Sequence, residues 1–163
     1  MSDCCSVPKM DSSPPPVMAC LSCGNRSKQV DSVTVKSLVR QLPFGRSQTQ
    51  YYFCDAPGCD VVYFPSHPDA TTFGRSDLLV RVGAKETEDP IPVCYCFGCS
   101  RTDIQDEIAE TGRTTVADRI TAEVKAGNCA CEVKNPSGKC CLGEIARAAQ
   151  GAIRALQEAG IAR

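Results

Sequence analysis

The residues of this chain best equipped for chemistry are its thirteen cysteines, which fall into short-range pairs rather than scattering. The first group is Cys20-x2-Cys23 followed, thirty residues on, by Cys54-x4-Cys59. Four thiolates in two close pairs suit a tetrahedral zinc, since each pair folds its backbone around the ion and a hairpin can bring the pairs together. Gly24 and Gly58 sit beside these ligands, where a tight turn favours a residue without Cβ. With sulfur in all four positions no site is left for water, so such a zinc would be structural and would add folding energy to a small unit. The alternatives are four unrelated buried cysteines, or a site in which the sole histidine, His67, replaces one ligand. His67 lies in a turn beside Pro68, which reads as a plain loop position.

A second group comprises Cys94-Tyr95-Cys96 with Cys99 just beyond, then Cys129-Ala130-Cys131 and Cys140-Cys141. This spacing is loose for zinc and suits iron: a 2Fe-2S cluster takes two thiolates per iron, which a close pair and a split pair can supply. Cys141 is expected in the first turn of a helix, whose free N–H groups and positive dipole end favour thiolate charge. A second zinc, or several exchanging soft-metal thiolates, is the competing reading.

Stepping outward from the cysteines, the rest of the chain must supply their scaffold. Its apolar share of 42% is that of a globular protein, but only 6% is aromatic and there is no Trp, so two half-size units would need a metal staple. The opening residues have neither a basic start nor an apolar run, so no export signal is expected, and stretches such as Val61 to Phe64 are too short to span a bilayer. A cytoplasmic setting follows, in which thiols stay reduced and bind metals rather than forming disulfides. Eighteen basic against nineteen acidic residues leave a formal charge of -1, which gives no footprint for nucleic acid or an anionic membrane.

The pattern predicts an α+β protein: a small zinc-stapled β unit followed by a small helical, 2Fe-2S-binding unit. Residues 1–17, with the Pro14-Pro15-Pro16 run, read as a flexible tail carrying Cys4 and Cys5. Residues 18–90 form the β-rich zinc domain, with strands expected around Val33 and Val35, Tyr51 to Cys54, Val61 to Phe64 and Leu78 to Val82. Residues 91–163 form the helical domain, joined through an extended connector over Glu86 to Pro92. Its first helix is expected to start at a Thr102–Gln105 capping box and to stop at Gly112. A second should run from Thr115 to Gly127. A third, between Gly138 and Gly160, carries the apolar stripe Leu142, Ile145, Ala149, Ile153 and Leu156.

The runs YYFCDAPGCDVVYF, RVGAKETEDPIPVCYCFG and CEVKNPSGKCCLGEI resemble the N-terminal domain of CopZ-type copper chaperones, over roughly residues 18 to 145. The cluster half is also similar to bacterioferritin-associated ferredoxin. The resemblance implies one zinc on Cys20, Cys23, Cys54 and Cys59, and one 2Fe-2S cluster on Cys94, Cys96, Cys131 and Cys141. Cys129 and Cys140 are the alternatives to Cys131 and Cys141. It further implies a domain that delivers electrons to reduce copper to the monovalent state. Such chaperones continue into a ferredoxin-like metal-transfer domain, which is not expected within these 163 residues.

The expected function is that of an iron-sulfur and zinc-binding electron-transfer protein supporting the reduction or handling of copper or another soft metal ion. Its partner would be an unidentified redox or metal-transfer protein. Cys4 and Cys5, with Met10 and Met18 nearby, offer soft ligands for Cu+ or read equally as plain exposed thiols; Cys99 reads as a bystander or a spare thiolate. Lys134, Lys139 and Arg101 could tune a cluster potential. Two other readings are a ferredoxin-like carrier without metal cargo and a zinc-only interaction module. Classical catalysis is not expected, since one loop histidine and no open metal position provide no acid–base pair; Cu(II) to Cu(I) reduction is the one activity in view.

Overall fold

The computed structural model describes residues 13–43 and 49–161; Cys4, Cys5 and Met10 lie outside them. The chain opens with β1 (Val17–Ala19), β2 (Arg26–Val30) and α1 (Ser32–Leu38), then β3 (Tyr51–Phe53), β4 (Val61–Pro65) and β5 (Phe73–Gly74). These five strands form one antiparallel sheet in sequence order. Two 3-10 turns, Arg75–Asp77 and Gly83–Lys85, lead to a short antiparallel pair, β6 (Pro92–Cys94) and β7 (Cys99–Ser100). Then follow α2 (Arg101–Thr111), α3 (Val116–Lys125), α4 (Cys131–Lys134) and α5 (Leu142–Ile161). A sheet followed by helices makes this an α+β protein, in keeping with the sequence pattern. Among the described residues no helix is long and apolar enough to cross a membrane.

Side chains alternate across a strand, and here both faces are covered. Tyr51 and Tyr63 pack on one side with Val30, Val35, Val39, Phe73, Leu78 and Val82. Tyr52 and Phe64 pack on the other with Cys20, Cys54 and Cys59. Tyr52 and Phe64 are opposite in register and stack at 5.4 Å between ring centroids. The helical half has its own core of Ile104, Ile108, Val116, Ile120, Ile145 and Ala149 around Cys94 and Cys141. Each fully buried isoleucine contributes about 1.5–3 kcal/mol.

Three local expectations are corrected. Val33 and Val35 lie in α1, not in a strand: strand alternation would put both on one face, whereas Val35 is buried with Thr34 and Leu38 while Val33 is exposed, a helical stripe. Leu78 to Val82 forms no strand; Leu78 makes one isolated bridge to Val39, and Leu78 and Val82 anchor a segment between the two 3-10 turns. The cap of α2 is Ser100 with Asp103, two residues ahead of Thr102, because Ser100 closes β7 with its oxygen directed at the Asp103 amide. Gly112 does end α2, in the left-handed conformation at φ 75°. The stripe on α5 is covered only at its start, with Ile145 and Ala149 buried and Ile153 and Leu156 exposed.

The two halves interlock. The buried Tyr63 hydroxyl donates to the Pro136 carbonyl at 2.7 Å, and the Thr34 hydroxyl of α1 donates to the Glu132 carbonyl of α4 at 2.6 Å. The Pro14–Pro16 run lies along β2: the Gln29 amide side chain donates to the Pro14 and Pro15 carbonyls, and the Tyr52 hydroxyl donates to the Pro15 carbonyl.

Candidate metal centres

Cys20 and Cys23 occupy the β1–β2 connection, and Cys54 and Cys59 the β3–β4 connection. Because β2 pairs antiparallel with β3, with Lys28 opposite Phe53, the two connections project from the same end of the sheet. All four sulfurs lie within 4.8 Å of one another. Cys20 Sγ stands 4.0 Å from Cys59 Sγ, and Cys23 Sγ stands 3.7 Å from Cys54 Sγ. Zinc at its usual distance from four sulfurs sets them about 3.8 Å apart, so this donor set fits the ion. Cys20, Cys54 and Cys59 are buried and Cys23 is exposed. The first turn is closed by the Gly24 amide donating to the Cys20 carbonyl at 2.8 Å, with Gly24 at φ 75°, which a Cβ would strain. His67 is exposed in the turn after β4 and outside the thiol group.

Burial pushes the Cys54 thiol up to about 12, while the Ala56 amide and the Lys85 ammonium act in the opposite direction. Lys85 is a component that sequence reasoning missed. It is 1% exposed, and its Nζ donates to the carbonyls of Ala56 and Cys59 at 2.9 Å each. Nothing in the surrounding RVGAK run marks it as buried.

The second group assembles from four elements. Cys94 ends β6, Cys96 lies in the turn, Cys131 opens α4, and Cys141 precedes α5. Cys96 and Cys131 place their sulfurs 3.6 Å apart, and Cys94 and Cys141 are buried together in the core of the helical half. The Ala130 amide donates to Cys96 Sγ at 3.3 Å. The Cys141 carbonyl accepts from Glu144 and Ile145, so this residue stands at the cap of α5 rather than within its first turn. Burial pushes Cys131 up to about 12, reinforced by Cys96, and pushes Cys141 up as well. Cys129 is half-buried and Cys140 exposed. Cys99 faces Cys94 across the β6–β7 pair, its thiol donating to the Ser100 carbonyl at 3.6 Å and held up at about 11, first by burial and then by Asp103. Met18, grouped with the tail thiols on sequence, lies in β1 and packs against the Cys20 cluster.

A cleft of about 890 Å³ opens between the sheet and α5, with Cys140, Lys28, Arg101 and Lys139 on its walls. Lys134, the third cation expected near the second group, is exposed.

Residues 17–79 match a zinc binding domain family of the CopZ type. Over 131 residues the chain is 33% identical to the copper chaperone CopZ of Archaeoglobus fulgidus, an alignment covering 80% of this chain and 61% of that protein. The chain thus spans about three fifths of the length of this curated relative. It also superposes on the X-ray structure of the Archaeoglobus fulgidus CopZ N-terminal domain with a TM-score of 0.65 and 32% identity, covering 80% of this chain and 96% of that one. The match covers nearly the whole of the solved domain, and the chain belongs to the family of the CopZ N-terminal domain.

Proposed function

We propose that the protein is a two-centre redox protein, with a structural zinc on Cys20, Cys23, Cys54 and Cys59, a 2Fe-2S cluster on Cys94, Cys96, Cys131 and Cys141, and copper or another soft metal ion as the substrate it reduces or handles. The observation that carries this reading is the contrast between the sulfur groups. The first converges on a point, as one tetrahedral ion requires. In the second, Cys96 and Cys131 are in sulfur contact at 3.6 Å while Cys94 and Cys141 lie together in the buried core of the helical half. Among the described residues no other trio of His, Cys, Asp or Glu ligand atoms draws together as the first group does. Two irons taking two thiolates each need that split arrangement; a second zinc does not.

When bound, the cluster supplies a one-electron carrier, and all-cysteine clusters of the plant type lie near about -400 mV, low enough to reduce Cu(II). The chain's part is to hold and insulate it. Ile104, Ile108 and Ile145 pack around Cys94 and Cys141 and exclude water from that side. The Ala130 amide is already directed at Cys96, where it stabilises thiolate charge. Cys140, exposed beside Cys141 on the cleft wall, marks the side from which an acceptor can approach.

The test is to mix dithionite-reduced protein with Cu(II) anaerobically. Reoxidation of the visible spectrum with one Cu(I) formed per cluster electron is expected. A reduced cluster that ignores Cu(II) would leave a plain electron carrier. Colourless protein with two zincs and no acid-labile sulfide would leave a zinc-only interaction module.

A further inference from the structure

We infer that Lys85 is the buried counter-cation of the four-thiolate centre, fixing its ligand loop and offsetting its charge so that zinc is retained. This deepens the zinc reading and rests on it. An ammonium removed from water is costly unless it is hydrogen-bonded and paired with opposite charge. Lys85 is 1% exposed, yet among the described residues no carboxylate lies within ion-pair distance of it. What it does have is the Cys54–Cys59 loop, through the Ala56 and Cys59 carbonyls at 2.9 Å. The opposite charge is therefore sulfur. Four thiolates around a dication sum to minus two, and a cation beside them brings the buried assembly to minus one.

Placement of the side chain is built in from several directions. Lys85 ends the Gly83–Lys85 turn, where its amide donates to the Val82 carbonyl at 2.8 Å. Its own carbonyl accepts from Arg75 Nη1 at 3.2 Å, and Arg75 pairs through Nε with Asp60 Oδ1 at 3.3 Å. Asp60 directly follows the ligand Cys59, so the lysine is tied to the same loop at both its backbone and its ammonium.

The variants Lys85→Met, Lys85→Gln and Lys85→Arg separate packing, hydrogen bonding and charge. Zinc retention is read by competition with a chromogenic chelator in the purified metal-loaded protein. Sulfur donor energy is read from the thiolate-to-cobalt charge-transfer band, taken as a cobalt-minus-zinc difference so that any iron absorbance cancels. The Met and Gln variants should release zinc at least tenfold more readily and move the cobalt band to longer wavelength, because uncompensated thiolates give up an electron more easily. The Arg variant should keep the native band. Native zinc retention in Gln, or an unmoved band in both neutral variants, would overturn the inference. If the neutral variants fail to fold, a folded Arg variant with the native band sustains it, whereas an Arg variant that fails to fold or shifts the band assigns Lys85 to packing and overturns it. Wild-type protein that takes up neither zinc nor cobalt would defeat the zinc reading itself, before the lysine is reached.

Discussion

The Gly83 amide donates to the Tyr95 hydroxyl at 2.8 Å, and that hydroxyl donates in turn to the Arg81 carbonyl at 3.0 Å. Tyr95 stands between Cys94 and Cys96, while Lys85, two residues past Gly83, holds the Cys59 loop. The segment from Arg81 to Lys85 is thus a strap with one sulfur group at each end. A side chain at Gly83 would collide with the Pro92 carbonyl oxygen, so the strap lies flat against β6 only with glycine there. Tyr95→Phe removes both hydrogen bonds and leaves the Gly83 amide unpaired. It should cost about 1–3 kcal/mol in denaturant unfolding. The visible spectrum should also bleach faster in air, with zinc content unchanged, as metal analysis alongside the decay would report.

The paired sulfurs of the second group make a selective prediction. Cys94→Ser and Cys141→Ser each remove a buried sulfur of the group and should abolish or strongly shift the visible spectrum. Cys140→Ser and Cys129→Ser, at an exposed and a half-buried position, should leave the spectrum and the electron paramagnetic resonance signal of the reduced protein unaltered. Zinc should stay at one per chain in all four. Bleaching by Cys140→Ser with a native spectrum in Cys141→Ser would exchange their assignments.

Why the sulfur groups were legible and parts of the scaffold were not follows from the range of the interactions. Cys20, Cys23, Cys54 and Cys59 announce themselves because a turn around an ion fixes short spacing along the chain. The alternation at Tyr51–Tyr52 and Tyr63–Phe64 is likewise local. Val33 and Val35 misled because β-branched residues carry a strand preference that the packing of α1 against α4 overrides. Lys85 gave no local sign, since its partners are carbonyls 26 and 29 residues away. The choice of Cys141 over Cys140 depends on which sulfur faces the core beside Ile145, which adjacent residues in a sequence do not disclose.

The joint between the halves can be tested at Gly138 and Thr34. Gly138 has φ 67°, and a Cβ there would stand 2.8 Å from Thr34 Oγ1, the atom that donates to the Glu132 carbonyl. Gly138→Ala should therefore destabilise the protein by about 1–2 kcal/mol from backbone conformation alone, with a further cost from the clash. Thr34→Ala loses its hydrogen bond, for about 1 kcal/mol, but clears that space. In a double-mutant cycle the pair should cost less than the sum of the single variants, by about 0.5 kcal/mol or more, since they share one contact. Strict additivity in denaturant titrations would show that the loop moves clear of α1.

The cap of α2 provides a pH-dependent prediction. Ser100 donates through its amide and its hydroxyl to Asp103 Oδ2, each at 2.7 Å, and its hydroxyl oxygen accepts from the Asp103 amide at 3.2 Å. These bonds hold the Asp103 carboxyl below its ordinary range, the Ser100 side chain first and its backbone second. A carboxyl depressed in the folded state contributes stability that is fully present above its unfolded value, near 3.8, and is lost as pH falls through the lower folded value. Ser100→Ala should cost about 1 kcal/mol at neutral pH through the lost cap. Asp103→Asn should be destabilised relative to wild type at pH 6 and converge with it as the pH is lowered below 3.8, because the wild-type carboxyl is then losing its charge. The measurement is thermal unfolding of both proteins across that range, with metal content checked at each pH. A constant difference between the two curves would show that the cap acts without its charge.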